Sequence, residues 1–412
     1  MDGWKSVRVP RLPDLGIEPR LGGTQFPQAV GVYVCGITPY DATHLGHAHT
    51  YVTFDVLVRL LRASGRRVTH VQNVTDVDDP LLERAIALGV DWRYLAREGI
   101  DRLATDMEAL RVLSPDHYVG VVESVPLIVD GVTRLLRREA AYRIGVPDQA
   151  GEGAADVYAD TRAETAFAEA LPDDAVELFG ERGGDPARPG KRAPLDPLLW
   201  RAGRSGEPTW DGGPLGPGRP GWHIECAVIA EAFLGGAPTI TGGGSDLAFP
   251  HHHMTASHLR ALGHPHGGLA LHVGLVGLDG EKMSKSRGNL VFVSRLLEDG
   301  ADPAALRLAL AAHHWSREWQ WDRGQLRAAE HRLARWRAAA LVPAPAGGGA
   351  PLAVRVARAL AGDLDVPAAL AEVDAWAGAV LAGAGGDDGA ADAVDALLGI
   401  DLRAQELSRR RR

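Results

Sequence analysis

Apolar and polar positions alternate between two periods along this chain. GVYVCG (31–36) is a short apolar run with the β-branched and aromatic content of a buried strand. After TPYDATHLGHAHT, the run TFDVLVRLLRASG takes the 3.6-residue period of an amphipathic helix that stops at Gly65. RRVTHVQNVTDVDD then returns to strand and loop. Strand, turn, helix and strand make a βαβ unit, which implies a parallel sheet with helices on its faces, an α/β fold. Helical patterns continue to about residue 141. GWHIECAVIAEAFLG (221–235) reads as a helix, APTITGGGSDLAFP as a strand with a glycine-rich loop, and HVGLVGLDGEKMSKSRGN (272–289) as a strand with a basic loop. From about residue 296 the pattern is helical, broken by PAPAGGGAP and GAGGDDGAA.

These shifts divide the chain into five expected parts. Residues 1–143 are the first half of an α/β domain, and 144–200 an insertion rich in Gly, Pro, Asp and Arg. Residues 201–295 are its second half, 296–341 a helical stem, and 342–412 an acidic helical domain with a basic tail. With 412 residues, 45% of them hydrophobic, the chain can bury a large core. Strongly apolar, charge-free stretches of eighteen residues are missing, as is an apolar N-terminal signal core, so a soluble cytoplasmic protein is expected. Two cysteines, Cys35 and Cys226, do not make a disulfide framework. A net charge of −9 argues weakly against a nucleic-acid binder.

Candidate chemistry begins at HLGH (44–47), where a strand gives way to a helix. His44 and His47 share a helix face. A helix N-terminus offers free N–H groups and positive potential to phosphate, and Gly46 lets a flat base approach the backbone. Alone the motif is weak. KMSKS (282–286) adds two lysines and two serines in one loop, able to neutralise charge on a leaving diphosphate. Together the motifs resemble the signature pair of class I aminoacyl-tRNA synthetases.

GRPGWHIEC (218–226), GGGSDLAFPHH (242–252) and the cysteine of YVCG are similar to cysteinyl-tRNA synthetase. That resemblance implies a Rossmann-like catalytic domain and a zinc site made by Cys35, Cys226 and His251. The family's fourth ligand is a glutamate, and here the position holds Thr255; His253 replaces another acidic residue. Two thiolates and an imidazole leave tetrahedral zinc one open position, the pattern of a catalytic site. A cysteine thiol fills it better than a serine hydroxyl. His252 is expected behind the ligands or in packing. His253 and His258 are expected to be solvated or structural, with His253 a weaker candidate for the missing ligand.

CGITPYDATHLGH and ERGGDPARPGK (181–191) resemble the cysteine ligase family of mycothiol biosynthesis more than the synthetase. The resemblance covers about residues 30–320. It implies contacts to a cysteinyl-adenylate from Cys35, Gly36, Ile37, Thr38, Thr50, Asn73, Val74, Thr75, Trp222, Gly244, Ser245, Asp246 and Val276. It implies one Zn²⁺, Mg²⁺ with ATP, and the small-molecule substrates L-cysteine, ATP and glucosaminyl-inositol. His44 and His47 would steady the phosphates and Lys282 and Lys285 the leaving diphosphate. Asp246 would take a proton from the attacking amine or bind an amine. Residues 342–408 hold three basic and ten acidic residues and one aromatic, Trp376. RNA binding needs basic surface and stacking groups. No tRNA or membrane partner is therefore expected, and a monomer suffices. The alternatives are a cysteinyl-tRNA synthetase with an atypical C-terminus and a non-catalytic regulatory paralogue. Intact HLGH, KMSKS and the three ligands weigh against the second.

Overall fold

The computed structural model describes the chain except residues 2, 6, 14, 41, 147–153, 265–267, 284–287, 344–350 and 405–412, and only the backbone of Lys282. A small hairpin, β1 (Arg20–Leu21) and β2 (Thr24–Gln25), leads into β3 (Ala29–Val34), α1 (Leu45–Ala63) and β4 (Arg67–Val74). α2 (Asp79–Leu88) and α3 (Trp92–Ala109) precede β5 (His117–Gly120) and α4 (Val121–Arg137). β6 (Ala141–Gly145), β7 (Ala155–Ala159), α5 (Thr165–Glu169), α6 (Ala175–Glu181), β8 (Leu198–Ala202) and β9 (Gly218–Pro220) follow. Next come α7 (Trp222–Leu234), β10 (Ile240–Gly244), α8 (His253–Leu262) and β11 (Leu269–Val273). β12 (Val276–Leu278), β13 (Glu281–Lys282), α9 (Val293–Glu298), α10 (Pro303–Ala311) and β14 (Trp319–Trp321) precede four terminal helices. These are α11 (Arg323–Ala340), α12 (Leu352–Ala361), α13 (Val366–Ala379) and α14 (Ala390–Leu398).

Five parallel strands form the central sheet in the order β11-β10-β3-β4-β5. Counted along the chain this is 3-2-1-4-5, a doubly wound order that reverses between β3 and β10 and opens a crevice beyond their C-terminal ends. Alternation along β3 sends Val30, Val32 and Val34 into one apolar layer and Tyr33 into the other. The first layer joins α1, α3, α10 and the terminal helices; the second joins α4, α7 and α8.

The insertion is a four-stranded antiparallel sheet, β6-β7-β8-β9, running from Ala141 to Pro220. β8 therefore straddles the boundary expected at 200, and β9 lies beyond it. Its strands are three to five residues long and find partners far along the sequence, so their glycine- and proline-rich connections obscure any local period. β5 and β14 likewise interrupt stretches that read as helical. Residues Val366–Ala384 satisfy the length and composition of a membrane-crossing helix, with 39% of the window buried. Glu372 and Asp374 in that span pair with Arg355 and Arg332, and the helix packs on α11 and α12. α12–α14 share the apolar layer of α1.

Candidate active site

The crevice collects residues from several separate elements. Cys35 follows β3, where its N–H donates to Gly242 O at 2.9 Å and so ties β3 to β10 at their C-terminal ends. Cys226 lies one turn into α7. His251 enters from the segment between β10 and α8, where Phe249 leaves helical geometry (φ −136°, ψ 137°). Cys35, Cys226 and His251 are buried, and their ligand atoms all lie within 4.8 Å of one another. Cys35 Sγ is 4.0 Å from Cys226 Sγ, and His251 Nε2 is 3.2 Å from Cys226 Sγ. The hydrogen bond from Cys35 holds the Cys226 thiol well below its ordinary range, against burial and with help from His251. The same bond, with burial, pushes Cys35 well up. Soft sulfur donors with an imidazole, buried at this spacing, suit zinc.

Outer groups orient these three. His223 Nδ1 stands 3.0 Å from His251 Nδ1, and the Trp222 ring stacks on His251 with centroids 4.4 Å apart. Thr255 donates to His223 O at 3.2 Å, so its hydroxyl braces α8 against α7; it is not in the ligand cluster. His252 Nε2 is 3.3 Å from Cys35 Sγ, and His252 Nδ1 is 2.9 Å from His272 Nε2. His253 faces the insertion, with Nε2 3.1 Å from Phe167 O. His258 is buried rather than solvated, and burial depresses it to about 3. His223 and His272 were not singled out from sequence. GWHIEC carried a signal for the first, and nothing local marked the second.

His44 caps α1, accepting from Gly46 N at 3.1 Å on Nδ1, and its ring stacks on His47 with centroids 3.8 Å apart. Thr50 is half-buried one turn further on and donates to Gly46 O at 3.1 Å. The backbone beyond KMSKS is laced to this start: Leu45 N donates to Val291 O at 2.9 Å and Val293 N to Thr43 O at 3.1 Å. Lys282 lies on β13, paired with Gly277 of β12. Lys285 lies outside the described residues.

The remaining positions line the strand ends. Gly36 N donates to Asn73 Oδ1 at 2.9 Å and Thr75 N to Ile37 O at 3.1 Å. A Cβ on Gly36 would overlap Asn73 O, at 1.6 Å. Thr38 O accepts from Tyr40 N at 3.0 Å in the turn toward HLGH. Asn73 Nδ2 reaches Thr75 Oγ1 at 3.3 Å, and Thr75 donates to Glu225 at 3.4 Å. Burial first, then Asp78 and Cys226, raise Glu225 well above the usual carboxylate range. Gly244, Ser245 and Asp246 close β10 in a 3₁₀ turn. Val74 and Val276 are buried in the first apolar layer, so only their backbone is available to a ligand. The structure thus brings the cysteine–histidine cluster, the 35–38 and 73–75 segments and the 244–246 turn to one crevice mouth.

A doubly wound sheet with these motifs at its switch point defines a class I synthetase-type catalytic domain. The family model for tRNA synthetases class I (C) catalytic domain matches residues 24–331. Mycobacterium tuberculosis methionyl-tRNA synthetase in complex with methionyl-adenylate superposes with a TM-score of 0.62 at 16% identity, over 93% of this chain and 84% of that one. The L-cysteine:1D-myo-inositol 2-amino-2-deoxy-alpha-D-glucopyranoside ligase of Beutenbergia cavernae is 54% identical over 424 residues, 98% of this chain and all of the relative. The ligase of the same name from Thermomonospora curvata is 53% identical over 427 residues, with the same coverage. The chain belongs to this family of cysteine ligases, built on the class I synthetase fold.

Proposed function

We propose that this chain joins the carboxyl group of L-cysteine to the amine of 1D-myo-inositol 2-amino-2-deoxy-α-D-glucopyranoside in mycothiol biosynthesis. ATP activates cysteine as the adenylate, releasing diphosphate; the sugar amine then displaces AMP. The observation that carries this reading is full-length identity above 50% to ligases of that name, joined to a buried Cys35–Cys226–His251 cluster at the switch point.

Cys35, Cys226 and His251 would hold Zn²⁺, which supplies an open coordination position for a thiol and discriminates against serine. The chain's own residues do the rest. His223 and His252 fix the rotamers of His251 and Cys35. His44 and His47 stand at the N-terminus of α1, where phosphate charge is favoured. Lys282 and Lys285 would stabilise the departing diphosphate, with Mg²⁺ accompanying ATP. Asp246 would bind the cysteine amine or take the proton from the attacking sugar amine, since an ammonium cannot attack. A cytoplasmic setting fits the need for ATP and two reduced thiols, and the enzyme would act as a monomer. The acidic 342–408 region disfavours tRNA as a partner.

The test is AMP release by the purified chain with ATP, Mg²⁺ and L-cysteine, offering either the amino sugar or total tRNA. Turnover with the sugar alone is expected. Charging of tRNA would overturn the acceptor assignment, and equal turnover with serine would overturn the role of the thiol cluster.

A further inference from the structure

One polar side chain of the insertion, that of Arg182, reaches the segment that joins Asp246 to His251. Arg182 caps the C-terminus of α6; Gly183 follows with φ +86°, and a Cβ on Gly184 would stand 2.6 Å from the Phe179 ring. Glycine suits both positions of this turn, which folds the chain beneath α6 with Gly184 N on Phe179 O at 2.9 Å. It directs the Arg182 guanidinium into the segment between β10 and α8. There Nη1 donates to the carbonyl of Asp246 and, at 2.8 Å, to that of Phe249.

These two carbonyls bracket an irregular stretch. Before it stands the 244–246 turn, and directly after it His251 enters the thiol cluster. The stretch is a 3₁₀ turn followed by a π-type turn in which Phe249 is extended, so no continuous α-helical or sheet ladder runs through it. A separate apolar cluster presses the insertion onto the same place: Phe167, Phe179 and Leu195 pack with Met254 and Phe249. Apolar contact gives proximity without direction, whereas a charged donor on two carbonyls sets direction.

We propose that Arg182 is a positioning residue for cysteine activation. It holds the Asp246 and Phe249 carbonyls so that Asp246 faces the crevice and His251 faces the two thiols, and it makes the insertion part of the active site. The proposal rests on the ligase reading above and adds a residue that acts through the loop without touching substrate.

The experiment uses full-length, zinc-loaded Arg182→Ala and Arg182→Lys. Arg143→Ala serves as control, since it removes an exposed insertion arginine bonded to Pro214 O at 2.7 Å. Cysteine-dependent ATP–diphosphate exchange, zinc affinity by chelator competition and amide hydrogen exchange of residues 244–252 are measured together. A misplacement near 1 Å costs about 100-fold, so Arg182→Ala should lose roughly 10- to 100-fold in kcat/KM for cysteine. KM for ATP should stay near wild type, zinc should be held more weakly in a chelator competition because His251 is no longer aimed at the thiols, amides 244–252 should exchange faster, and Arg182→Lys should recover part of the loss. Wild-type kinetics in Arg182→Ala, an equal loss in Arg143→Ala, or unchanged protection of 244–252 would each overturn the proposal. If the wild-type enzyme itself shows no cysteine-dependent exchange, the ligase reading fails. The amide protection then still decides whether Arg182 holds the loop.

Discussion

Replacing Asp55 with asparagine should destabilise the whole catalytic domain, because one carboxylate neutralises two buried guanidiniums. Asp55 lies on α1, which begins at the HLGH histidines. Its side chain and that of Arg59 are fully buried, 2.8 Å apart, and Arg307 of α10 shares the same Oδ2. Leu113 N donates to Oδ1 at 2.7 Å. The guanidiniums spread outward from that point. Arg59 reaches Asp395 O at 2.9 Å and Arg111 O at 2.8 Å, and Arg307 reaches Leu398 O at 2.7 Å and Leu110 O at 2.8 Å. Asparagine keeps the shape and the bond to Leu113 but leaves two uncompensated buried charges. Breaking a buried pair costs about 3–5 kcal/mol, and the surviving carbonyl acceptors place the expectation at the lower end, about 3 kcal/mol. Burial alone would raise Asp55, but Arg59 and Arg307 outweigh it and hold its pKa below the ordinary value. A depressed folded-state pKa means stability that is present above the unfolded value, near 3.9, and lost as pH falls through the folded one. The deficit of Asp55→Asn should therefore be full at pH 7 and shrink below about pH 4. Urea unfolding read by circular dichroism measures it, with Glu298→Gln of the exposed Arg295–Glu298 pair as the control, expected within about 0.5 kcal/mol. An Asp55→Asn midpoint equivalent to less than about 1 kcal/mol of loss would refute the reasoning. So would a deficit that is the same at pH 7 and pH 3.

Cys226→Ser should lose bound zinc and cysteine-dependent ATP turnover together; normal metal content by mass spectrometry would sink the ligand assignment. His252→Ala should weaken zinc about 10- to 100-fold in a chelator competition, since His252 orients Cys35 from behind, and unchanged affinity would make it packing only. Lys285→Ala should slow adenylate formation about 100-fold in single-turnover assays with zinc in place, and an unaltered rate would show that the loop takes no part.

What was legible in sequence was local. GVYVCG, the helix after HLGH and the helix of GWHIEC each carry their period within a dozen residues, and β3, α1 and α7 follow them closely. The candidate ligands were readable because motifs keep Cys35, Cys226 and His251 in recognisable company. Long-range pairing was illegible. HYVG of β5 is too short to show a period, and its Gly120 is at once the last strand residue and the N-cap of α4. WQW of β14 becomes a strand only because β12 lies beside it, with Val276 opposite Trp319. The insertion strands suffer the same ambiguity. Among site residues, nothing in the local sequence could pair His252 with His272 across 20 positions, or send Arg182 to a loop more than 60 residues away.

The acidic C-terminal region reads differently along the chain and in the fold. Counted along the chain, its excess of carboxylates argues against a surface for RNA. In the fold, several of those carboxylates serve the packing. Asp374 takes Arg332 and the Trp336 indole N–H, Glu372 takes Arg355, and Asp395 takes Arg111. Trp376, the region's single aromatic, is buried in the core shared with α1 and so is not available to stack on a base. α14 also supplies the carbonyls that accept from Arg59 and Arg307, the two arginines bound to Asp55 of the catalytic helix. In a class I synthetase-like chain, residues beyond the catalytic domain would be expected to read an adaptor RNA. Here three of those carboxylates are paired with arginines, the aromatic side chain is buried, and backbone carbonyls of α14 brace the helix that starts at the HLGH histidines.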